Sequence, residues 1–406
     1  MSAAAYEGLA SQIETRGFNT GTIESKIRAL EIETPSWGYG DSGTRFGVFR
    51  EPGAARGLRE RLEDAAQVNN VTGACPSVAI HIPWDMVDDF ADLAGQAREM
   101  GVRIGAVNPN VFQDKIYKYG SLCNVDPAVR ATALDQILGC VDIMKQVDSD
   151  LLSLWFADGS NYPGQVNMRY RKQWMHEGLK TIHDALPQNA RMLVEYKLFE
   201  PGFYHTDIAD WGMACTFARR AGDNAQVLVD LGHHAQGVNI EHIIATLIDE
   251  DMLGGFHFNN RKSADDDLTI GSINPYEVFL IFCEILAAEK ENLPSRPIAY
   301  MIDQSHIVKG KREAVIQSIM NIQTAYAKAC LVDFDELDDA RLRSNAVDCE
   351  RALMAAYETN VQPLLQKIRE DRGIGPDPIT SHRATGYDER VAKERVGRLE
   401  GTGSWG

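Results

Sequence analysis

Short apolar, β-branched runs recur along the chain, separated by longer stretches whose apolar residues fall at helical spacing. The runs cover Gly43–Phe49, Ser77–Pro83, Val102–Asn108, Leu151–Asp158, Met192–Phe199, Gln226–Leu231, Gly255–Asn259 and Pro297–Asp303. Helical patterns lie between them, among others at Ala131–Val147, Tyr170–Ala185, Ile240–Met252 and Tyr276–Lys290. Strands that alternate with helices imply βαβ units and a parallel sheet. Eight such strands predict a closed (β/α)8 TIM barrel. The competing architecture is an open doubly wound sheet, and the lack of a Gly-x-Gly-x-x-Gly turn after the first run counts against it.

Both ends extend this unit. Residues 1–40 read as an N-terminal helical extension with two amphipathic patterns, 41–330 as the barrel, and 331–406 as a C-terminal helical extension. The last part breaks at Gly373-Ile-Gly-Pro-Asp-Pro and resumes as a charged helix around Glu389–Leu399. Such a tail serves either as a solvated extension or as packing for a neighbouring subunit.

Composition narrows the partners. With 58 acidic and 41 basic residues, the net charge of −17 opposes binding to a nucleic-acid backbone or an anionic membrane. No apolar run approaches the ~18 residues of a membrane span. The N-terminus lacks the basic and apolar regions of a secretory signal. Seven widely spaced cysteines without a Cys-x-x-Cys pair fit reduced thiols, so a cytoplasmic protein is expected.

In a parallel barrel the reactive side chains come from the C-terminal ends of the strands. His81 stands near the end of the second run, Asn108 and Asp158 end the third and fourth, and Glu195 and Lys197 share one face of the fifth. Asp230 and His233 follow on the sixth, His257 on the seventh, Asp303 and His306 on the eighth. Glu195, Asp230, His257 and Asp303 would converge on the barrel axis if all point inward. Such a set suits Mn²⁺, Mg²⁺, Co²⁺ or Zn²⁺, and a structural polar network is the alternative. The loop Arg261-Lys-Ser-Ala-Asp-Asp-Asp reads either as a solvated acidic turn or as a second metal position. In the latter case Asp265 and Asp267 join His233 and a shared Glu195, and two ions clamp two oxygens of one substrate. His234 and His306 read as structural, whereas Trp84 and Trp155 read either as core or as the wall of a sugar pocket. Motifs for serine nucleophiles, Walker-type nucleotide binding and zincin proteolysis are absent.

Several runs carry a family resemblance by their order and spacing. They are Pro35-Ser-Trp-Gly with Gly43-Thr-Arg-Phe, His81-Ile-Pro-Trp-Asp, Asp158-Gly-Ser-Asn-Tyr-Pro-Gly, Glu195-Tyr-Lys, Asp230-Leu-Gly-His-His, Gly255-Phe-His-Phe-Asn and Met301-Ile-Asp-Gln-Ser-His. Together they resemble the bacterial L-rhamnose isomerase/sugar isomerase family over nearly the whole chain. The resemblance implies a barrel enzyme that interconverts an aldose and its 2-ketose with two divalent cations, usually Mn²⁺, in a homotetramer. It implies Glu195, Asp230, His257 and Asp303 as ligands of one ion, and Glu195, His233, Asp265 and Asp267 as ligands of a catalytic one. Lys197, His81 and Asp303 would act on the sugar oxygens and their protons. His233, Trp155 and Trp84 would contact the sugar, and Phe46 would complete the pocket of an adjacent subunit.

This inventory agrees with moving a hydrogen between C1 and C2 without a redox cofactor. Metal ions act as Lewis acids and Lys197 hydrogen-bonds the carbonyl oxygen, which favours a 1,2-hydride shift over an enediol because most acidic candidates are committed as ligands. L-rhamnose is the first expected substrate, followed by D-allose, L-lyxose and L-mannose. The loop Phe112–Tyr117 and the pair Asn260-Arg261 depart from the family pattern beside the expected active face. The rivals are a ketose 3-epimerase, which needs two acid/base carboxylates, a metal-dependent nuclease, which the acidic balance opposes, and a barrel that binds sugar or metal without turnover.

Overall fold

The computed structural model describes residues 3–44, 47–200 and 203–395. Eight parallel strands close into a barrel: β1 (Glu33–Pro35), β2 (Ser77–Ile82), β3 (Arg103–Pro109), β4 (Leu151–Leu154), β5 (Arg191–Glu195), β6 (Ala225–Asp230), β7 (Leu253–Phe258) and β8 (Ala299–Ile302). Neighbours in sequence are neighbours in the ring, and β1 closes it by pairing Glu33 with both Ser77 and Met301. Each strand is followed by a helix: α1 (Leu58–Thr72), α2 (Phe90–Glu99), α3 (Pro127–Val147), α4 (Met168–Ala185), α5 (Trp211–Ala221), α6 (Ile240–Asp249), α7 (Pro275–Glu289) and α8 (Lys311–Ala329). Asp89, Asp126, Asn167, Asp210, Asn239 and Asn274 each accept a first-turn backbone N–H, which sets where six of these helices begin. The (β/α)8 TIM barrel expected from the alternation is thus the fold.

The first strand is the correction. Gly43–Phe49 is not a barrel strand; Ser42–Thr44 and Gly47–Phe49 pair antiparallel as a small hairpin outside the ring. The ring is closed instead by Glu33–Pro35, inside the stretch read as N-terminal extension. Three residues that include a proline show neither alternation nor a β-branched run, so no local pattern marks them.

Successive strand residues point to opposite faces, and this alternation builds the interior in layers. Ala79, Ala106, Leu151, Leu193, Leu228 and Met301 form a small apolar cluster inside the barrel, with Trp37 and Ala299 packed on it. Two residues further along the same strands stand His81, Asn108, Ser153, Glu195, Asp230 and Asp303. A dry layer therefore lies directly beneath a polar one. Lower down, the buried Glu33 carboxylate occupies the space where a side chain on Gly105 would stand and accepts the Ala106 N–H.

The extensions clasp the barrel and each other. Helices 3–15 and 20–29 precede β1, and helices at 334–342, 346–357, 362–371, 378–384 and 387–394 follow α8. Arg28 pairs with Asp371 at 2.7 Å, and Arg372 donates to the Arg28 carbonyl. On the other side, Asp64 of α1 is fully buried and accepts from Arg312, Arg395 and the Tyr387 hydroxyl at 2.8–3.1 Å. Residues 387–395 are thereby anchored to α1. Among the described residues no helix is long and apolar enough to cross a membrane.

Removing one partner of a buried charge network leaves uncompensated charge, at a cost of about 3–5 kcal/mol. Asp64→Asn is expected to lower unfolding stability by roughly that amount in denaturant melts. Asp184→Asn, which breaks the exposed Lys180–Asp184 pair, is expected to leave it nearly unchanged, because solvent screens that pair. Equal effects would contradict the anchoring role of Asp64.

Candidate active site

The C-terminal mouth of the barrel holds a cavity of about 200 Å³ with two unlike halves. The ends of β1 to β4 supply aromatic rings. His81 packs on Trp84 with centroids 4.1 Å apart, Trp37 meets His81 edge-on at 5.5 Å, and Phe112 meets Trp155 at 4.7 Å. The ends of β5 to β8 supply charge. Glu195, Asp230, His257 and Asp303 each offer a ligand atom within 4.8 Å of the others, and Asp230, His233 and Asp265 form a second such group. Asp230 belongs to both.

Hydrogen bonds fix which atoms face inward. His233 Nδ1 donates to the Tyr196 carbonyl at 2.9 Å, leaving Nε2 toward Asp265 and Asp230 at 3.6 and 4.0 Å. His257 does the reverse: its Nδ1 faces Glu195 at 3.2 Å, Asp303 at 3.6 Å and Asp230 at 4.0 Å. Asp230 is held by the Gly232 N–H at 2.7 Å and the Asn259 amide at 2.9 Å. Gly232 must lack a side chain, because a Cβ there would stand 2.8 Å from Asp265 Oδ1 and 3.1 Å from Asp230 Oδ1. Lys197 pairs with Asp265 at 2.7 Å and with Glu200, and its Nζ lies 5.0 Å from the Trp155 ring centre. Asp303 accepts the Trp37 indole N–H at 2.8 Å.

No family model matches the chain. Curated proteins do. A probable sugar isomerase of Rhizobium meliloti (strain 1021) is 40% identical over 403 residues, covering 98% of this chain and 94% of that protein. The chain belongs to this sugar isomerase family. A second probable sugar isomerase, from Mesorhizobium japonicum, matches with the same identity and coverage. A xylose isomerase of Thermus thermophilus is 23% identical over 192 residues, 45% of this chain and 49% of its own. Among solved structures, an L-ribulose 3-epimerase covers 78% of this chain and 98% of its own at a TM-score of 0.53 and 13% identity, which is a likeness of fold.

In this chain the sequence-predicted residues fall as follows. Glu195, Lys197, His233, His257, Asp265, Asp267 and Asp303 line the cavity together with His81, Trp84 and Trp155. Asp230 is fully buried just behind them. Asp267 lines the cavity but stands outside both close groups, and Glu195 Oε1 lies 3.2 Å from His233 Nδ1 and His257 Nδ1 alike. Asp158 belongs elsewhere, buried against Ser121 and Cys123 beside the Arg171–Asp207 ion pair. Phe46 lies outside the described residues. The sequence reading gave no role to Trp37, Arg61, Asp85, Phe112 or Asn259, although Trp37, Asp85 and Asn259 stand in the runs that carry the resemblance and Phe112 opens the loop that departs from it; Asn259 also stands two residues beyond His257 on the same face.

Crowded charge shifts the protons of this site. Burial disfavours a charged imidazole, yet the surrounding carboxylates outweigh it: Asp230 leads for His233 and Glu195 for His257, raising them to about 9 and about 10. Burial, reinforced by the charge of Glu195, raises Asp230 to about 7 despite His233. His81 is pushed down to about 3 by burial and the nearby Arg61 charge, so it is neutral at pH 7.

The donor set fits a divalent cation. Glu195 and Asp230 are buried, Asp265 and Asp303 are half-buried beside them, and Asp265 Oδ1 itself is buried without a hydrogen bond, 3.6 Å from His233 Nε2. Because both histidines hold protons at pH 7, a cation must displace them. Mn²⁺ binding is expected to release about one proton per histidine engaged, and to weaken roughly tenfold or more per pH unit between pH 8 and 6. Calorimetry in buffers of different ionisation enthalpy measures the release; affinity independent of pH, with no proton released, would contradict the histidine assignment.

Proposed function

We propose that this sugar isomerase interconverts an aldose and its 2-ketose with two divalent cations, Mn²⁺ being favoured over Co²⁺, Mg²⁺ or Zn²⁺. The observation that supports it most is the divided cavity, in which ligand groups on one side face aromatic rings on the other. An apolar wall suits the C–H faces of a sugar, and the charged side suits its reacting oxygens. The probable sugar isomerases to which the chain is similar point the same way.

A bound cation supplies Lewis acidity to the oxygens on C1 and C2. The chain's own groups do the rest. Lys197 stays charged, because Asp265 and Glu200 outweigh the effect of burial, and its Nζ donates to the carbonyl oxygen. Asp303, raised by burial and steadied by Trp37, exchanges the hydroxyl proton as C2–OH becomes C2=O and C1=O becomes C1–OH. The hydrogen on carbon passes between C2 and C1 with its electron pair. His81, neutral and buried, offers Nδ1 to a sugar oxygen. His233, Trp84 and Trp155 hold the sugar.

L-rhamnose and L-rhamnulose are the first pair in this proposal, with D-allose, L-lyxose and L-mannose as further aldoses. The ketose 3-epimerase is the second reading; it needs two acid/base carboxylates, and beside Glu195 the described residues lining the cavity offer only aspartates, of which Asp265 and Asp303 belong to the two ligand groups. Homotetrameric assembly belongs to the same proposal.

Chelator-stripped protein is expected to form ketose from L-rhamnose only after Mn²⁺ is restored. Lys197→Met is expected to cut turnover ~100-fold or more while Mn²⁺ still binds. Ketose formation without metal would contradict the proposal, and epimerised ketose in place of aldose–ketose exchange would move it to the epimerase.

A further inference from the structure

Among the described residues, the aromatic half of the cavity contains one positive charge that the reaction above does not use. Arg61, near the start of α1, reaches the cavity wall while only 5% of it is exposed. Its Nη1 donates to Asp85 Oδ1 at 2.7 Å, the one hydrogen bond of the guanidinium among the described residues. Nε is buried and unpaired. A guanidinium has five N–H donors in a fixed fork, so most of this one's capacity is unspent. The buried Nε is as closed to a ligand as to water, but the second arm of the fork, Nη2, is not among the buried atoms, has no hydrogen-bond partner among the described residues, and is the donor Arg61 can offer to the cavity it lines.

Asp85 cannot turn to meet them. Its Oδ2 already accepts the Ser36 hydroxyl at 2.5 Å and the His81 N–H at 2.8 Å. Arg61 is therefore held rigidly beside His81, on the β1–β2 side of the ring. In an eight-strand barrel whose strands follow sequence order, that side lies across from β5, which carries Lys197. If Lys197 holds the carbonyl end of the sugar, Arg61 meets the other end. The acceptor should be neutral, because the Arg61 charge is balanced by Asp85 and Asp41 lines the same wall.

We propose that Arg61 forms a subsite for a hydroxyl on the distal carbon of the sugar, so that aldoses with an oxygen at C6 are favoured over their 6-deoxy counterparts. This rests on the aldose–ketose reading and revises its order of substrates, placing L-mannose ahead of its 6-deoxy counterpart L-rhamnose. A site built to hydrogen-bond a hydroxyl discriminates strongly against the analogue lacking it.

L-mannose and L-rhamnose differ only by that oxygen. With Mn²⁺ present, quenching of the cavity tryptophans reads the dissociation constant of each sugar, and product analysis reads turnover. The wild-type protein is expected to bind L-mannose ~10- to 100-fold more tightly than L-rhamnose. Arg61→Lys, which keeps a cation for Asp85 but loses the fork, is expected to bring the ratio toward one through loss of L-mannose affinity. D-allose against 6-deoxy-D-allose repeats the comparison without a variant. A wild-type ratio at or below one in both pairs, or a ratio that Arg61→Lys leaves unchanged, overturns the subsite. Binding with the expected ratio but no ketose formation overturns the isomerase reading and supports the subsite. Failure of every sugar to bind overturns both.

Discussion

Repulsion among Glu195, Asp230, Asp265 and Asp303 is the constraint around which the rest of the site is arranged. Carboxylates gathered this closely away from water cannot all ionise unless positive charge joins them. In the protein alone, His233 and His257 supply it, which is why both imidazoles hold their protons so far above the ordinary range. Lys197 takes up part of the charge of Asp265. A divalent cation can replace those protons on the same atoms. The polypeptide thus holds, under an array of shared protons, a set of atoms that could bind a cation.

Barrel closure makes the array possible. Residues two apart on a strand share a face, so Leu193, Leu228 and Met301 form the floor on which Glu195, Asp230 and Asp303 stand. The floor excludes water from below, which strengthens each interaction above it. Asn259, Tyr196 and Gly232 then set orientation: one steadies Asp230, one fixes the His233 tautomer, and one leaves room for Asp265 to approach. Opposite them, the rings on β1 to β4 give the cavity an apolar wall.

Much of this was legible in the sequence, for physical reasons. Seven of the eight strands announce themselves as short apolar runs, and their ends carry the ionisable residues because that is where a parallel barrel opens. The ligand candidates on β5 to β8 could therefore be named before any coordinates. Residues that act through long-range contacts could not. Glu33–Pro35 is too short to show a period, and the nearby hairpin at 42–49 imitates a strand better than the strand itself. Arg61 and Asp85 lie 24 positions apart on a helix and a loop, and nothing local marks them as partners. Trp37 stands in a 310 turn, so no strand alternation points it toward Asp303.

The central claim is that Glu195, Asp230, His233, His257, Asp265 and Asp303 act together as one cation-binding centre. Electron paramagnetic resonance titration of Mn²⁺ into wild-type and Asp230→Asn protein, both verified as folded, tests it most directly, because Asp230 belongs to both ligand groups. The account predicts saturable binding by the wild type and a loss of at least about tenfold in affinity at both groups in the variant. Equal Mn²⁺ binding by the two proteins, or none by the wild type, would contradict it.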